Sequence, residues 1–128
     1  MNETEKVTVN LTVVDIGQID LLVEEGLYSN RTDFVRSAIR LQFNQHRDVV
    51  KQASVRRSMV VGVLTFDREA LEQKRVAGEK IAIRAIGLVI LTDDIPPQLA
   101  IDVIESIKVY GSLRAGDRVR EALAGRIL

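Results

Sequence analysis

Near its start the chain reads Lys6-Val7-Thr8-Val9-Asn10-Leu11-Thr12, a stretch that alternates strictly between polar and apolar residues. Val7, Val9 and Leu11 fall on one face, which is the period of a β-strand and not of a helix. A single strand is not stable by itself, and the segment that follows has helical spacing. The strand therefore has to pair with another chain, and its own copy is the simplest partner. The sequence predicts a dimer joined through this strand.

Two helical segments come next. Val13 to Glu25 has apolar residues at helical spacing, with Thr12 as the expected N-cap and Gly26 as the expected C′ glycine with positive φ. Asn30 is expected to cap a second helix, and Asp33 lies three positions later, as in a capping box. The apolar stripe of this helix consists of Phe34, Ala38, Ile39 and Phe43.

Basic residues dominate the region from Arg31 to Arg57, although the formal net charge of the whole chain is zero. Seven basic residues against Asp33 and Asp48 leave a local surplus of five, which a dimer would double. Such a surplus attracts a polyanion, but a solvated helix face shows the same pattern. The charge alone therefore leaves both interpretations open.

Residues 60–128 repeat a pattern of a short apolar segment followed by a helix. Glycines lie at positions 62, 87 and 111, so the spacing is 25 and then 24 residues. An Asp follows each apolar segment, where it suits a helix N-cap. The pattern predicts parallel strands, either in a small β-α solenoid or in a parallel α/β layer. Chance similarity among three βα units would look the same.

The predicted fold class is therefore α+β. We expect a first domain over residues 1–53, whose second helix continues towards Ala53, a short basic linker over residues 54–59, and a small repeating β-α domain over residues 60–128. The outer units of a three-unit repeat each leave one side uncovered. The second domain is thus expected to serve oligomerisation or sensing.

Composition excludes several classes of protein. The chain has no cysteine, which excludes a disulfide scaffold and a thiolate zinc site and is compatible with a reducing cytoplasm. The polar start has no apolar signal core. The best apolar run, Ile86–Leu91, is far shorter than the roughly 20 residues that span a bilayer. We therefore expect a cytoplasmic protein with no membrane contact.

Catalytic and cofactor motifs are also missing from the sequence. One histidine and no cysteine leave little room for a nucleophile constellation, and there is no Walker loop or G-x-G-x-x-G. The adjacent pair Asp93 and Asp94 precedes Pro96 and Pro97, where a helix cap and a first-turn proline explain it. We predict that the protein is not an enzyme and needs no cofactor.

Residues 6–43 resemble the ribbon-helix-helix family, the CopG and Arc-like repressors. The strand matches the family's ribbon, and Leu21–Gly26 matches the common end of its first helix. Asn30–Arg40 reads N-R-T-D-F-V-R-S-A-I-R, where the family often reads S-R-S-E-F-I-R-E-A-I-R. The resemblance implies one strand and two helices per chain in an intertwined dimer, whose antiparallel ribbon enters the major groove of DNA.

The resemblance also implies which residues read bases. Side chains facing out of the ribbon are Lys6, Thr8 and Asn10. Lys can donate to guanine, Asn can bond bidentately to adenine, and Thr can serve either. The family often has Arg where this chain has Asn10, which shifts the expected base preference.

A phosphate site is implied at the start of the second helix. Free backbone N–H groups at a helix N-terminus favour an anion, and by position these belong to Arg31 and Thr32, with Asn30 as the cap. Some family members are nickel sensors that use several His and a Cys. His46 is the only histidine here, so we expect no metal site.

These features favour a transcriptional repressor that binds a palindromic operator and is associated with the nucleoid. Two alternatives remain. An antitoxin would use the same ribbon and bind a toxin partner with its C-terminal part. A structural protein would self-assemble through residues 60–128 into a higher oligomer tethered to double-stranded DNA.

Overall fold

The computed structural model describes residues 4–128. The chain divides into two units, Met1–Gln52, of which residues 4–52 are described, and Ala53–Leu128. The elements of the helical part are α1 (Val13–Glu24), α2 (Arg31–Gln45) and α3 (Arg47–Arg56). The elements that follow are β1 (Val60–Phe66), α4 (Arg68–Val76), β2 (Ile81–Leu91), α5 (Pro97–Val103), β3 (Ile104–Arg114) and α6 (Asp117–Ala122).

The predicted caps of the first two helices are confirmed. The Thr12 hydroxyl accepts from the Asp15 N–H at 3.1 Å, and Gly26 has φ +86°. At the start of α2, the Asn30 side chain accepts from the Asp33 N–H at 2.8 Å. The Asp33 carboxylate accepts in turn from the Ser29 N–H at 2.9 Å, so the two side chains close the turn reciprocally.

The second helix does not continue unbroken towards Ala53. It ends at Gln45, and α3 begins at Arg47. His46 leaves the helical region with φ −107° and ψ 13°, and its N–H is shared between the carbonyls of Gln42 and Phe43. This tightening of the last turn is common at helix ends. Because α3 runs to Arg56, it also occupies the first part of the segment expected to be a linker.

The first unit buries very little in a single chain. Among its described residues only Ile19 is buried, with 5% of its surface exposed. Helix α2 has no buried residue at all. Large apolar side chains of α1, the turn and α2 are exposed instead, among them Leu21, Leu27, Val35, Ile39, Leu41 and Phe43. A unit of this kind needs another surface to complete its core.

The second unit is built on a parallel sheet, as the repeat predicted. The strand order is β1-β2-β3, and both neighbouring pairs are parallel. In the register, Gly62 lies opposite Gly87 and Gly87 opposite Gly111. The three sequence repeats are therefore three successive strands of one layer.

Helices cover one face of this sheet. Leu71 of α4, Leu99 of α5 and Leu123, the C-cap of α6, are almost completely buried. They belong to one cluster with the strand residues Ile83, Ala85, Val89, Leu91, Ile104 and Ile107. Because side chains alternate along a strand, the residues between these positions lie on the opposite, outer face.

The two edges of the sheet differ. At β3, the Ile107 N–H donates to the Arg126 carbonyl at 2.9 Å, and the Leu128 N–H donates to the Ile107 carbonyl at 2.8 Å. The Arg120 guanidinium donates to the carbonyl of Leu113 on the same strand. Strand β1 is paired on one side only, with β2, in the part of the chain that the structure describes.

Among residues 4–128, no helix combines the length and the hydropathy that a membrane-spanning segment requires.

Candidate nucleic-acid interface

The alternating segment is open to solvent on both of its faces. Residues 4–12 have no regular secondary structure in the single chain, so the expected strand is absent without a partner. Lys6, Thr8 and Asn10, the side chains that the family resemblance predicts to read bases, are exposed. The apolar side chains between them are exposed as well: Val7 by 80%, Val9 by 69% and Leu11 by 43%.

The start of α2 presents backbone donors. The N–H of Asp33 is bonded to the Asn30 cap, and the N–H of Phe34 to the Asn30 carbonyl. No acceptor among residues 4–128 bonds the N–H of Arg31 or Thr32. These two N–H groups are the ones that the sequence predicts to bind a phosphate, and the geometry leaves them available.

An ion pair at this position was not predicted. The Arg31 guanidinium donates through Nε and Nη2 to the two carboxylate oxygens of Asp20, at 2.8 and 2.9 Å. Hydrogen bonding to Arg31 lowers the pKa of Asp20 and raises the pKa of Arg31. Both side chains are exposed, so salt screens the pair and its contribution to stability is small. The pair orients the Arg31 side chain towards Asp20.

Asp94, the second residue of the acidic pair that follows β2, has a structural role. Asp94 accepts from the Thr92 hydroxyl and from the N–H of Arg68 at 3.3 Å, and the Thr92 bond lowers its pKa. Asp94 therefore connects the loop after β2 to the start of α4. The sequence predicted instead that this acidic pair caps the following helix, α5. Pro96 is the N-cap of α5 and makes no side-chain cap bond. No group of three or more His, Asp or Glu side chains in residues 4–128 could hold a metal ion.

The family is shown by comparison with known proteins. The model of the Ribbon-Helix-Helix transcriptional regulator family matches residues 2–120. The chain belongs to this family. Ribbon-helix-helix regulators bind DNA and usually dimerise, so the chain is a DNA-binding transcriptional regulator. The match extends well beyond residues 6–43 and includes most of the β-α unit. No curated protein and no solved structure matches the chain.

Proposed function

We propose that this ribbon-helix-helix protein is a sequence-specific repressor that reads a palindromic operator with a two-chain ribbon. The exposure of Val7, Val9 and Leu11 in the single chain carries the proposal, because an alternating strand with an uncovered apolar face requires a partner. Pairing with the same segment of a second chain buries this face. The exposed apolar residues of α1 and α2 supply the rest of a shared core.

Dimerisation would form two sets of DNA contacts, one to base edges and one to backbone phosphates. The polar side of the ribbon, with Lys6, Thr8 and Asn10, enters the major groove and reads base edges. The N-terminus of each α2 holds a backbone phosphate through the N–H groups of Arg31 and Thr32. Two-fold symmetry of the protein then requires a two-fold symmetric site on the DNA.

The base-reading role predicts a loss of specificity in Asn10→Ala. Removing a bidentate base interaction should cost about 1–3 kcal/mol on a selected site and much less on mixed-sequence DNA. The measurement is fluorescence anisotropy with both duplexes. Asn44→Ala, which removes the same side chain from the last turn of α2, is the matched control. If Asn10→Ala lost the same binding free energy on both duplexes, Asn10 would not be a base-reading residue.

A substitution at the proposed phosphate site should lower affinity without changing sequence specificity. Arg31→Ala should weaken binding to both duplexes about equally and flatten the salt dependence, by roughly 0.9 in log–log slope for each phosphate that the protein no longer neutralises. Because the Asp20 carboxylate competes with a DNA phosphate for the Arg31 guanidinium, Asp20→Asn should strengthen binding to both duplexes. A selective effect of Arg31→Ala on the selected site would contradict the assignment.

Self-association through residues 60–128 is the second part of the proposal. Strand β1 lies at an edge of the sheet, and its Val61 and Val63 remain 66% and 57% exposed. The β1 strand also contains no charged residue that would discourage edge pairing. A second copy at β1 would join ribbon dimers into a higher oligomer and raise operator affinity by avidity.

Sedimentation velocity tests the self-association. The full chain should form species larger than a dimer as its concentration rises, whereas a truncation ending at Ser58 should remain a dimer. Simple dimers for both over a wide concentration range would contradict the oligomer and favour a sensing role. The second unit has its own buried cluster, and for that reason we favour an independent domain over a tail that folds on a toxin.

A further inference from the structure

The outer face of the sheet has a one-sided charge. Its charged side chains are Arg84 of β2 and Lys108 and Arg114 of β3, and no carboxylate lies at the outer-face positions that the register pairs. Glu105 lies at the register irregularity near the start of β3, outside this ladder. Arg84 and Lys108 are direct cross-strand partners in the parallel register. Because neighbouring strands lie only about 4.8 Å apart, two cations are held side by side on this face.

Two cationic side chains contact Tyr110 on the same surface. The Arg57 guanidinium donates from Nη1 to the Tyr110 hydroxyl at 2.5 Å. The Lys108 ammonium lies 4.9 Å from the centre of the Tyr110 ring. Arg84 adds a third positive side chain on this face, as the cross-strand partner of Lys108. We call this set, Arg57, Arg84, Lys108 and Tyr110, the basic sheet patch.

No carboxylate among residues 4–128 forms an ion pair with a cation of the patch. Arg31, Arg68, Lys74 and Arg75 each pair with a carboxylate. Within residues 4–128, Arg57, Arg84 and Lys108 form no ion pair. Like charges opposite one another on a sheet are destabilising. An arrangement that the protein's own acids do not neutralise is suited to an external anion.

We propose that the basic sheet patch binds the phosphate backbone of duplex DNA, as a second binding surface beside the ribbon. This inference rests on the proposed DNA-binding function. Arg, Lys, Tyr and Ser side chains are common partners of DNA phosphates, and Ser106 and Ser112 lie on the same outer face. Phosphate contacts carry no direct sequence information, so the patch adds affinity without sequence preference. Each chain would then contact DNA with both of its units.

The test removes the charges of the patch from the full chain. Binding of Arg84→Gln/Lys108→Gln to a 40-base-pair mixed-sequence duplex is measured over a range of salt concentrations. We expect binding on the order of tenfold weaker at low salt and a log–log slope reduced by about 0.9 for each phosphate that is no longer neutralised. Arg118→Gln removes an exposed charge from α6, in the helical layer, and should change neither quantity.

Folding is controlled by circular dichroism, with Arg84→Gln and Lys108→Gln also made singly. Because each substitution relieves repulsion, the melting temperature should be unchanged or higher. Weaker duplex binding by folded variants supports the patch, and unchanged binding overturns it while leaving the ribbon proposal intact. A wild-type chain that binds no duplex would contradict both. If inorganic phosphate stabilises the wild type but not the variants and duplex binding is unchanged, the patch holds a free anion and the DNA assignment is wrong.

Discussion

Gly87→Ala and Gly111→Ala are each expected to unfold the β-α unit. The two glycines have φ +137° and +125°, a region that residues with a Cβ rarely adopt. A Cβ at Gly87 would overlap the carbonyl oxygen of Gly62, and one at Gly111 would lie 2.9 Å from the carbonyl carbon of Gly87. Both obstacles are backbone atoms of a neighbouring strand, so relief requires separating the strands. We expect a loss of at least about 3 kcal/mol in the free energy of unfolding.

Substitutions at two other glycines separate the cost of backbone strain from the cost of steric overlap. Gly62 has φ +135° but open space at its Cβ position, so Gly62→Ala should cost only the backbone strain, about 1–3 kcal/mol. Gly125 has neither feature, and Gly125→Ala should have little effect. Urea unfolding followed by circular dichroism measures all four variants. Gly87→Ala or Gly111→Ala as stable as Gly125→Ala would contradict the close strand packing at the glycine row.

Val9→Asp is expected to abolish the dimer. In the single chain Val9 is 69% exposed, so the substitution disturbs little within one chain. In a two-chain ribbon it faces the shared core, and each dimer would bury two unpaired carboxylates. That burial costs several kcal/mol, which raises the dimer dissociation constant by roughly a thousandfold or more. Sedimentation equilibrium should show monomers, and DNA binding should be abolished.

The control for this substitution is Val76→Asp. Val76 lies at the end of α4 and is also largely exposed, but it has no proposed partner. We expect this variant to retain the oligomeric state and the DNA affinity of the wild type. If Val9→Asp is as harmless as Val76→Asp, then Val9 is a surface residue and the ribbon assignment is wrong.

Local patterns predicted the elements that depend on local physics. Thr12 and Asn30 cap their helices through bonds to residues three positions away, and this spacing is visible in the sequence. The glycine repeat predicted parallel strands because each repeat contains a strand and a helix of its own. It did not predict that Gly62, Gly87 and Gly111 form one row, since a register depends on two strands at once.

Interactions between distant residues were beyond the reach of the sequence patterns. Asp20 and Arg31 come together because α1 and α2 pack across a turn, and their separation has no recognisable period. The covering of β3 by Arg126 and Leu128 also joins segments far apart in the chain. The basic sheet patch could not be predicted for the same reason, because Arg57, Arg84 and Lys108 lie in three different segments of the chain. The local charge surplus visible in the sequence ends at Arg57.

A ribbon shared by two chains, reading one symmetric DNA site, is the central feature of the proposed function. The most direct measurement is selection of bound fragments from the source genome by the full chain, with Val9→Asp as the parallel sample. We predict that the wild type enriches fragments that share a short inverted repeat and that Val9→Asp enriches none. Fragments without a common symmetric sequence, or the same enrichment by Val9→Asp, would contradict the shared ribbon.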